Sequence, residues 1–242
     1  MITEHRRIEV SGIPVEIRRK AIKNLHVGVY PPHGRVRVAA PLHLDDEAVR
    51  LAIVARLSWI RSKQQGFARQ SRQSRREMVT GESHYFEGKR YRLDVVEQSG
   101  NPRVRVINNS TLELRVPPGT DRAGRQQALD RWYRRQLKAR VPELLTHWEG
   151  VVGVDIADCR VKKMKTRWGS CTIQARRIWL NLELVKKSPR CLEYIIVHEM
   201  VHLLERHHTD RFRALMDQCL PDWRLRKAEL NQTPLAHEDW GY

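Results

Sequence analysis

The residues whose types and spacing are best suited to chemistry lie at 198–209 of this 242-residue chain. The stretch begins with H-E-M-V-H, which matches the pattern H-E-x-x-H. On a helix four residues turn about 400°, so His198 and His202 lie on one face and can bind one metal ion. Glu199 is offset by about 100°, where it can take a proton from a metal-activated water instead of binding the metal. The pattern predicts a hydrolytic metal site with Glu199 as general base.

Three residues after this pattern are candidates for the third metal ligand. Glu205 lies one turn beyond His202, but three donors in a row along one helix suit a tetrahedral ion poorly. A donor that arrives from another direction fits better, and His207 and His208 follow the point, after Arg206, at which we expect the chain to turn. His208 also has the ligand spacing of metzincins, although a glutamate replaces their turn-forming glycine. We favour His208, with Glu205 and His207 as alternatives.

The surroundings of the motif are apolar. The segment Y-I-I-V-H-E-M-V-H-L-L, residues 194–204, indicates a buried helix, in which unpaired histidine and glutamate side chains would be costly. A bound metal accounts for them, whereas a solvated charged face does not. The alternative is a set of core histidines satisfied by hydrogen bonds. We expect one zinc ion, although another divalent ion could take its place.

Residues 1–120 are predicted to form a β-rich N-terminal region with one helix. Short alternating runs within residues 8–40 indicate strands, and helical spacing of apolar residues follows over residues 45–60. Residues 64–82 are polar and basic and predict a linker or mobile loop, with an extension of the preceding helix as the alternative. The run V-R-V-A-A-P before the first helix is echoed by L-E-L-R-V-P-P-G before the next helix, which suggests a shared supersecondary unit.

Residues 121–242 are predicted to form a second domain that carries the metal motif. A long apolar stripe over residues 121–148 indicates a helix, which Pro142 could kink or split. Two strands should follow, separated by T-R-W-G-S-C. Ser188 and Pro189 then resemble an N-cap and a first helical position, so the helix of the metal motif should begin there.

The motif T-R-W-G-S-C has a less certain role. Lys165 and Arg167 could bind an anion or stabilise a developing oxyanion, and the amide of Asn181 on the next strand could hold a substrate backbone. The structural alternative is a tight turn at Gly169, with Trp168 in the core and the asparagine closing the turn. The residues alone leave both interpretations open.

Taken together, T-R-W-G-S-C, the following I-x-L-N-x-x-L and the tyrosine-led H-E-x-x-H helix resemble the YgjP-like metallopeptidase family of zincins. The N-terminal runs are similar as well, so the resemblance covers nearly the whole chain. It implies an α+β fold with a small sheet packed on the H-E-x-x-H helix. It also implies that His198, His202 and His208 are the ligands and that Glu199 is the general base. His207 stands where this family commonly has asparagine.

The charge of the chain leaves several substrates open. A net charge of +17 favours an anionic substrate or partner, such as nucleic acid, a nucleotide or an acidic peptide. Peptide hydrolysis is the leading reaction. The alternative is hydrolysis of a nucleotide phosphoanhydride, supported by Lys163, Lys165 and Arg167 near the expected metal. A third hypothesis is a nucleic-acid-associated protein with a structural metal, but such a site has no need of Glu199.

Sequence features also bear on the compartment. No apolar run approaches the roughly 20 residues that cross a bilayer, and the start of the chain is charged. The four cysteines are scattered without a C-x-x-C pair, so we expect no disulfide framework. These features predict a cytoplasmic protein that does not associate with membranes.

Overall fold

The structure, a computed structural model, describes residues 2–30, 33–69, 76–164 and 167–232. Helices occur together with three separate sheets, which confirms the predicted α+β class. None of the helices in the described ranges combines the length and the apolar character that a membrane crossing requires. The chain divides into two compact units, Met1–Arg72 and Gln73–Tyr242.

The first unit is a four-stranded sheet followed by two helices. Its strands are β1 (Ile2–Val10), β2 (Ile13–Lys20), β3 (His26–Tyr30) and β4 (Arg35–Pro41). They lie in the order β1-β2-β4-β3, with β2 and β4 parallel and the other pairs antiparallel. The helices are α1 (Asp46–Val54) and α2 (Leu57–Arg69), where one helix was predicted. Alternate strand residues and the helices share one buried core, which includes Val15, Ile17, Val36, Val38, Val49, Ile53 and Ile60.

The predicted linker at residues 64–82 is only partly a linker. The helix α2 continues to residue 69, so the first part of this stretch matches the alternative of a helix extension. Residues 70–75 lie outside the described residues. Met78 is fully buried in the core of the second unit, so the last part of the stretch is packed structure.

The second unit begins with another four-stranded sheet. Its strands are β5 (Ser83–Phe86), β6 (Lys89–Glu97), β7 (Arg103–Val106) and β8 (Thr111–Val116), in the order β5-β6-β8-β7. Again only the central pair, β6 and β8, is parallel. The long helix α3 (Arg122–Val152) follows and runs through Pro142 without a break.

The two four-stranded sheets are equivalent at a constant spacing of 76 residues. The equivalent pairs are Gly12 and Gly88, Ile13 and Lys89, Arg35 and Thr111, and Asp45 and Asp121. Gly12 and Gly88 have φ of 77° and 79°, a left-handed conformation that favours glycine. The two aspartates cap the helix that follows each sheet. The supersecondary unit suggested by the sequence is therefore present twice.

The unit boundary differs from the predicted division near residue 120. The sheet β5–β8 packs on α3: the Tyr133 hydroxyl donates to the carbonyl oxygen of Tyr85 at 2.8 Å, and the Phe86 and Trp132 ring centroids are 4.7 Å apart. One buried core then continues from this sheet to the helix of the metal motif. The boundary therefore lies at residues 72–73, and the second sheet belongs with the site.

A small sheet and three further helices complete the second unit. The strands β9 (Asp158–Lys162), β10 (Gly169–Thr172) and β11 (Arg177–Asn181) lie in the order β10-β11-β9, so β10 is an edge strand. The helices are α4 (Pro189–Val201), α5 (Asp210–Cys219) and α6 (Trp223–Gln232). The helix α4 packs against β10 and β11, so the small sheet lies beside the metal motif.

Candidate metal centre

Three histidines converge at the end of α4. This helix begins at Pro189 and ends at Val201, earlier than the apolar pattern predicts, and His202 caps it. The chain turns there, and Thr209 caps α5 through its side-chain oxygen, which accepts from the Phe212 amide. This turn brings His208 back to the pair on α4. One ligand nitrogen from each of His198, His202 and His208 lies within 4.8 Å of the others.

One pair of donor atoms already has the spacing of a tetrahedral metal site. The Nε2 atoms of His198 and His208 are 3.1 Å apart, close to the ~3.3 Å between two nitrogens that share a tetrahedral zinc ion. His202 Nδ1 lies 3.2 Å from the carbonyl oxygen of Glu205, which fixes the tautomer and leaves Nε2 as a donor for metal. His198 Nδ1 is buried with no hydrogen-bond partner in the described part of the chain.

The electrostatics of the cluster also suit a metal. Burial lowers the pKa of His198 to about 3, with His202 and His208 lowering it further. Burial likewise lowers the pKa values of His202 and His208. Neutral imidazoles keep the lone pairs that bind a divalent ion. The three side chains are therefore prepared for a metal at neutral pH.

The two other candidate ligands lie apart from this cluster. The Glu205 carboxylate accepts from the backbone amide of His207 at 3.2 Å, so it stabilises the turn after α4. His207 is exposed. Neither belongs to the cluster of possible ligands that the described residues form around His198.

Glu199 lies beside the histidines and is 5% exposed. Burial raises the pKa of its carboxyl group to about 8, and the nearby Arg167 acts in the opposite direction. The edge strand β10 covers it. A Cβ atom at Gly169 would lie only 2.7 Å from Glu199 Oε1 and 2.8 Å from Ile195 Cγ2, so a glycine is needed for this approach. The structural alternative placed Gly169 in a tight turn, but the residue begins the strand β10. Its proximity to the base carried no signal in the sequence.

Asn181, which the sequence suggested as a substrate-binding residue, does not line the cleft. It is fully buried. Its Nδ2 donates to the carbonyl oxygens of Met164 at 2.9 Å and Arg167 at 2.8 Å, and its Oδ1 accepts from the Glu183 amide at 3.2 Å. The side chain therefore closes the loop before β10 and does not face substrate. This corrects the substrate-binding hypothesis in favour of the structural alternative.

The basic residues that were predicted near the metal have different surroundings. The Arg167 side chain is exposed and lines the cleft beside the histidines. Lys165 lies outside the described residues. Lys163 forms an ion pair with Asp130 at 2.8 Å. Trp168 packs against the core, as the structural alternative predicted, and it also lines the cleft.

The cleft has a volume of about 560 Å³. Besides the residues above, it is lined by side chains that the sequence did not single out, among them Cys171, Ile173, Tyr194, Arg206, Lys227 and Leu230. Arg206 could have been found from its place beside the metal motif. Lys227 carried no such signal, because its position depends on how α6 packs on α4.

Comparison with known proteins shows that the chain matches the model of one protein family. The model of the family described as "YgjP-like, metallopeptidase domain" matches residues 24–233. No curated protein matches the chain. The crystal structure of the metallopeptidase zymogen of Pyrococcus abyssi abylysin is similar over 36% of this chain and 89% of that chain, with 18% identity and a TM-score of 0.34.

Proposed function

Because the chain belongs to the YgjP-like metallopeptidase family and is thus a metal-dependent hydrolase, we propose that it is a zinc peptidase with Glu199 as general base. The convergence of three neutral imidazoles beside one buried carboxylate supports this proposal most strongly. A zinc ion held by His198, His202 and His208 would polarise the substrate carbonyl and lower the pKa of a water molecule toward roughly 7.

Glu199 moves the protons. A divalent cation bound beside Glu199 would favour the ionised form of its carboxyl group, against the effect of burial. That carboxylate accepts a proton from the attacking water and delivers it to the nitrogen of the departing amine. Burial against Gly169 and Ile195 excludes bulk water from the carboxylate and limits its orientations. Arg167 lies near enough to influence the charge of Glu199 and is placed to stabilise negative charge on the substrate.

The edge strand β10 favours a peptide as substrate. Among the described strands β10 pairs with β11 alone, so its other side presents backbone groups that an extended peptide can pair with. Cys171 and Gly169 of this strand line the cleft, so a peptide paired there would pass the histidines. The nucleotide alternative keeps one supporting observation, because the cleft cations Arg167, Arg206 and Lys227 would also attract phosphate.

Two variants test the assignment. Glu199→Ala should retain metal but lose activity by about 10²- to 10⁴-fold, since only proton transfer is removed. His198→Ala should lose the metal itself. Metal content is measured by elemental analysis, and activity by new amines from a peptide library and by phosphate released from nucleoside triphosphates.

Glu205→Ala is the matched control, because it removes a carboxylate near the cluster without removing a proposed ligand. It should keep both metal and activity. Full activity of Glu199→Ala would end the proposed mechanism. Full metal content in His198→Ala would end the ligand assignment.

A further inference from the structure

We propose that the cleft selects peptides with an acidic residue beside the scissile bond, and that Arg167, Arg206 and Lys227 recognise it. This inference rests on the proposed peptidase function. The three cations come from separate segments: the loop before β10, the loop after α4, and the helix α6. The fold, and not a run of basic residues in the sequence, brings them to one cleft.

Two cations of α6 that do not line the cleft have carboxylate partners on the protein. On α6, Arg226 pairs with Asp222 at 2.8 Å, and Arg224 pairs with Asp217 at 3.1 Å. Lys227, on the same helix, has no carboxylate within ion-pair distance among the described residues, and its ammonium group lies 5.6 Å from the ring centroid of Trp223.

The other two cations of the cleft resemble Lys227. Neither Arg167 nor Arg206 forms an ion pair within the part of the chain that the structure describes, and both side chains are exposed. The three cations that line the cleft are therefore free to pair with a carboxylate that enters it.

The cleft contains almost no negative charge of its own. Glu199 is the one carboxylate among its described lining residues, and its proposed role is that of the base. A concave site lined by one sign of charge attracts the opposite sign and repels its own. A glutamate or aspartate side chain should therefore be favoured near the scissile bond, and a lysine or arginine disfavoured.

The remaining lining also suits a peptide. Ile173 is 36% exposed and offers apolar surface to a neighbouring side chain of the substrate. Backbone pairing along β10 would hold the peptide chain and leave its side chains free to reach the cations.

The test uses quenched fluorescent peptides built on a sequence that the wild-type protein cleaves in the library. Three versions carry Glu, Gln or Lys beside the scissile bond. We expect kcat/KM to be about tenfold higher for Glu than for Gln and lowest for Lys, because several exposed ion pairs each contribute a few-fold. The contrast should shrink at high salt, which screens exposed charges.

Charge reversal supplies the decisive comparison. The double variant Arg206→Glu, Lys227→Glu should reverse the preference between the Glu and Lys peptides while metal content and melting temperature stay unchanged. Arg224→Glu is the control for the α6 half of this change, since it reverses one charge on the same helix outside the cleft. It should leave the preference as in the wild type.

The outcomes separate this inference from the peptidase proposal. Equal cleavage of the three peptides by the wild type, or an unchanged preference in the double variant, would overturn the acidic preference alone. Release of phosphate from nucleoside triphosphates without cleavage of any peptide would overturn both proposals.

Discussion

Gly169 controls how closely β10 approaches the proposed base. In Gly169→Ala the new Cβ atom would lie 2.7 Å from Glu199 Oε1 and 2.9 Å from its Cγ, so the carboxylate must move. We expect the metal to be retained and kcat to fall by about 10²-fold, the effect of a displacement near 1 Å. Metal analysis and steady-state kinetics on the same preparation check this.

The same substitution elsewhere provides the control. Gly150 lies inside α3, and a Cβ atom there would meet no atom within 4 Å. Gly150→Ala should leave activity unchanged and increase the free energy of unfolding by up to about 1 kcal/mol, because alanine favours the helix. Equal activity of the two glycine variants would contradict the role assigned to Gly169.

His84 should make stability depend on pH. It is 5% exposed, and burial together with Arg76 lowers its pKa to about 4, although Glu82 acts in the opposite direction and Lys186 adds to the lowering. In the unfolded chain the pKa of this histidine is about 6.5. The stability that comes from its lowered pKa is therefore fully present above pH 6.5 and is lost as the pH falls toward 4. The loss should be on the order of 3 kcal/mol.

Denaturant unfolding at several pH values measures this loss. In His84→Gln this part of the pH dependence should disappear, because the amide does not titrate. If the wild type and His84→Gln lose equal stability between pH 6.5 and pH 4.5, the assignment to His84 is wrong.

At the scale of elements, Asn181 links β11 to the loop that carries Arg167. We predict that Asn181→Ala lowers kcat/KM about tenfold when Arg167 is present and has little effect in the Arg167→Ala background, because the asparagine acts by positioning the arginine. The free energy of unfolding should fall by about 1–3 kcal/mol in both backgrounds, since buried amide hydrogen bonds are lost in each. Kinetics and denaturant unfolding of the wild type, the two single variants and the double variant complete this double-mutant cycle. Equal activity losses in the two backgrounds would assign Asn181 a purely structural role.

The site could be predicted from the sequence only where its geometry is local. His198 and His202 are four residues apart on one helix, so helical geometry alone places them together. The contribution of His208 follows from the need for a donor from another direction. The burial of Asn181 and the place of Lys227 in the cleft depend on packing between distant segments, which no short pattern encodes.

The same distinction applies at the scale of the whole molecule. Strand alternation and helix caps are local and predicted most elements correctly. The unit boundary depends on Tyr133 and Trp132 of α3 packing against Tyr85 and Phe86, contacts between segments nearly fifty residues apart. The predicted boundary, at the junction between a strand and the long helix, therefore falls where the core is continuous.

The two separate buried cores lead to a prediction for the whole chain. Every described residue of the cleft belongs to the second unit, and its core contains no residue of the first. A fragment of residues 76–242 should therefore unfold cooperatively and bind one divalent ion per chain. Calorimetry and metal analysis test this. A fragment that fails to bind metal would show that the first unit is needed to form the site.

The constant spacing of 76 residues between the two sheets is the pattern that a tandem copy of one strand-and-helix unit would produce. Such a copy would account for the equal strand order and the equivalent capping aspartates. Only the second copy is followed by β9–β11 and α4–α6. The elements that hold the candidate metal centre therefore have no counterpart after the first sheet among the described residues.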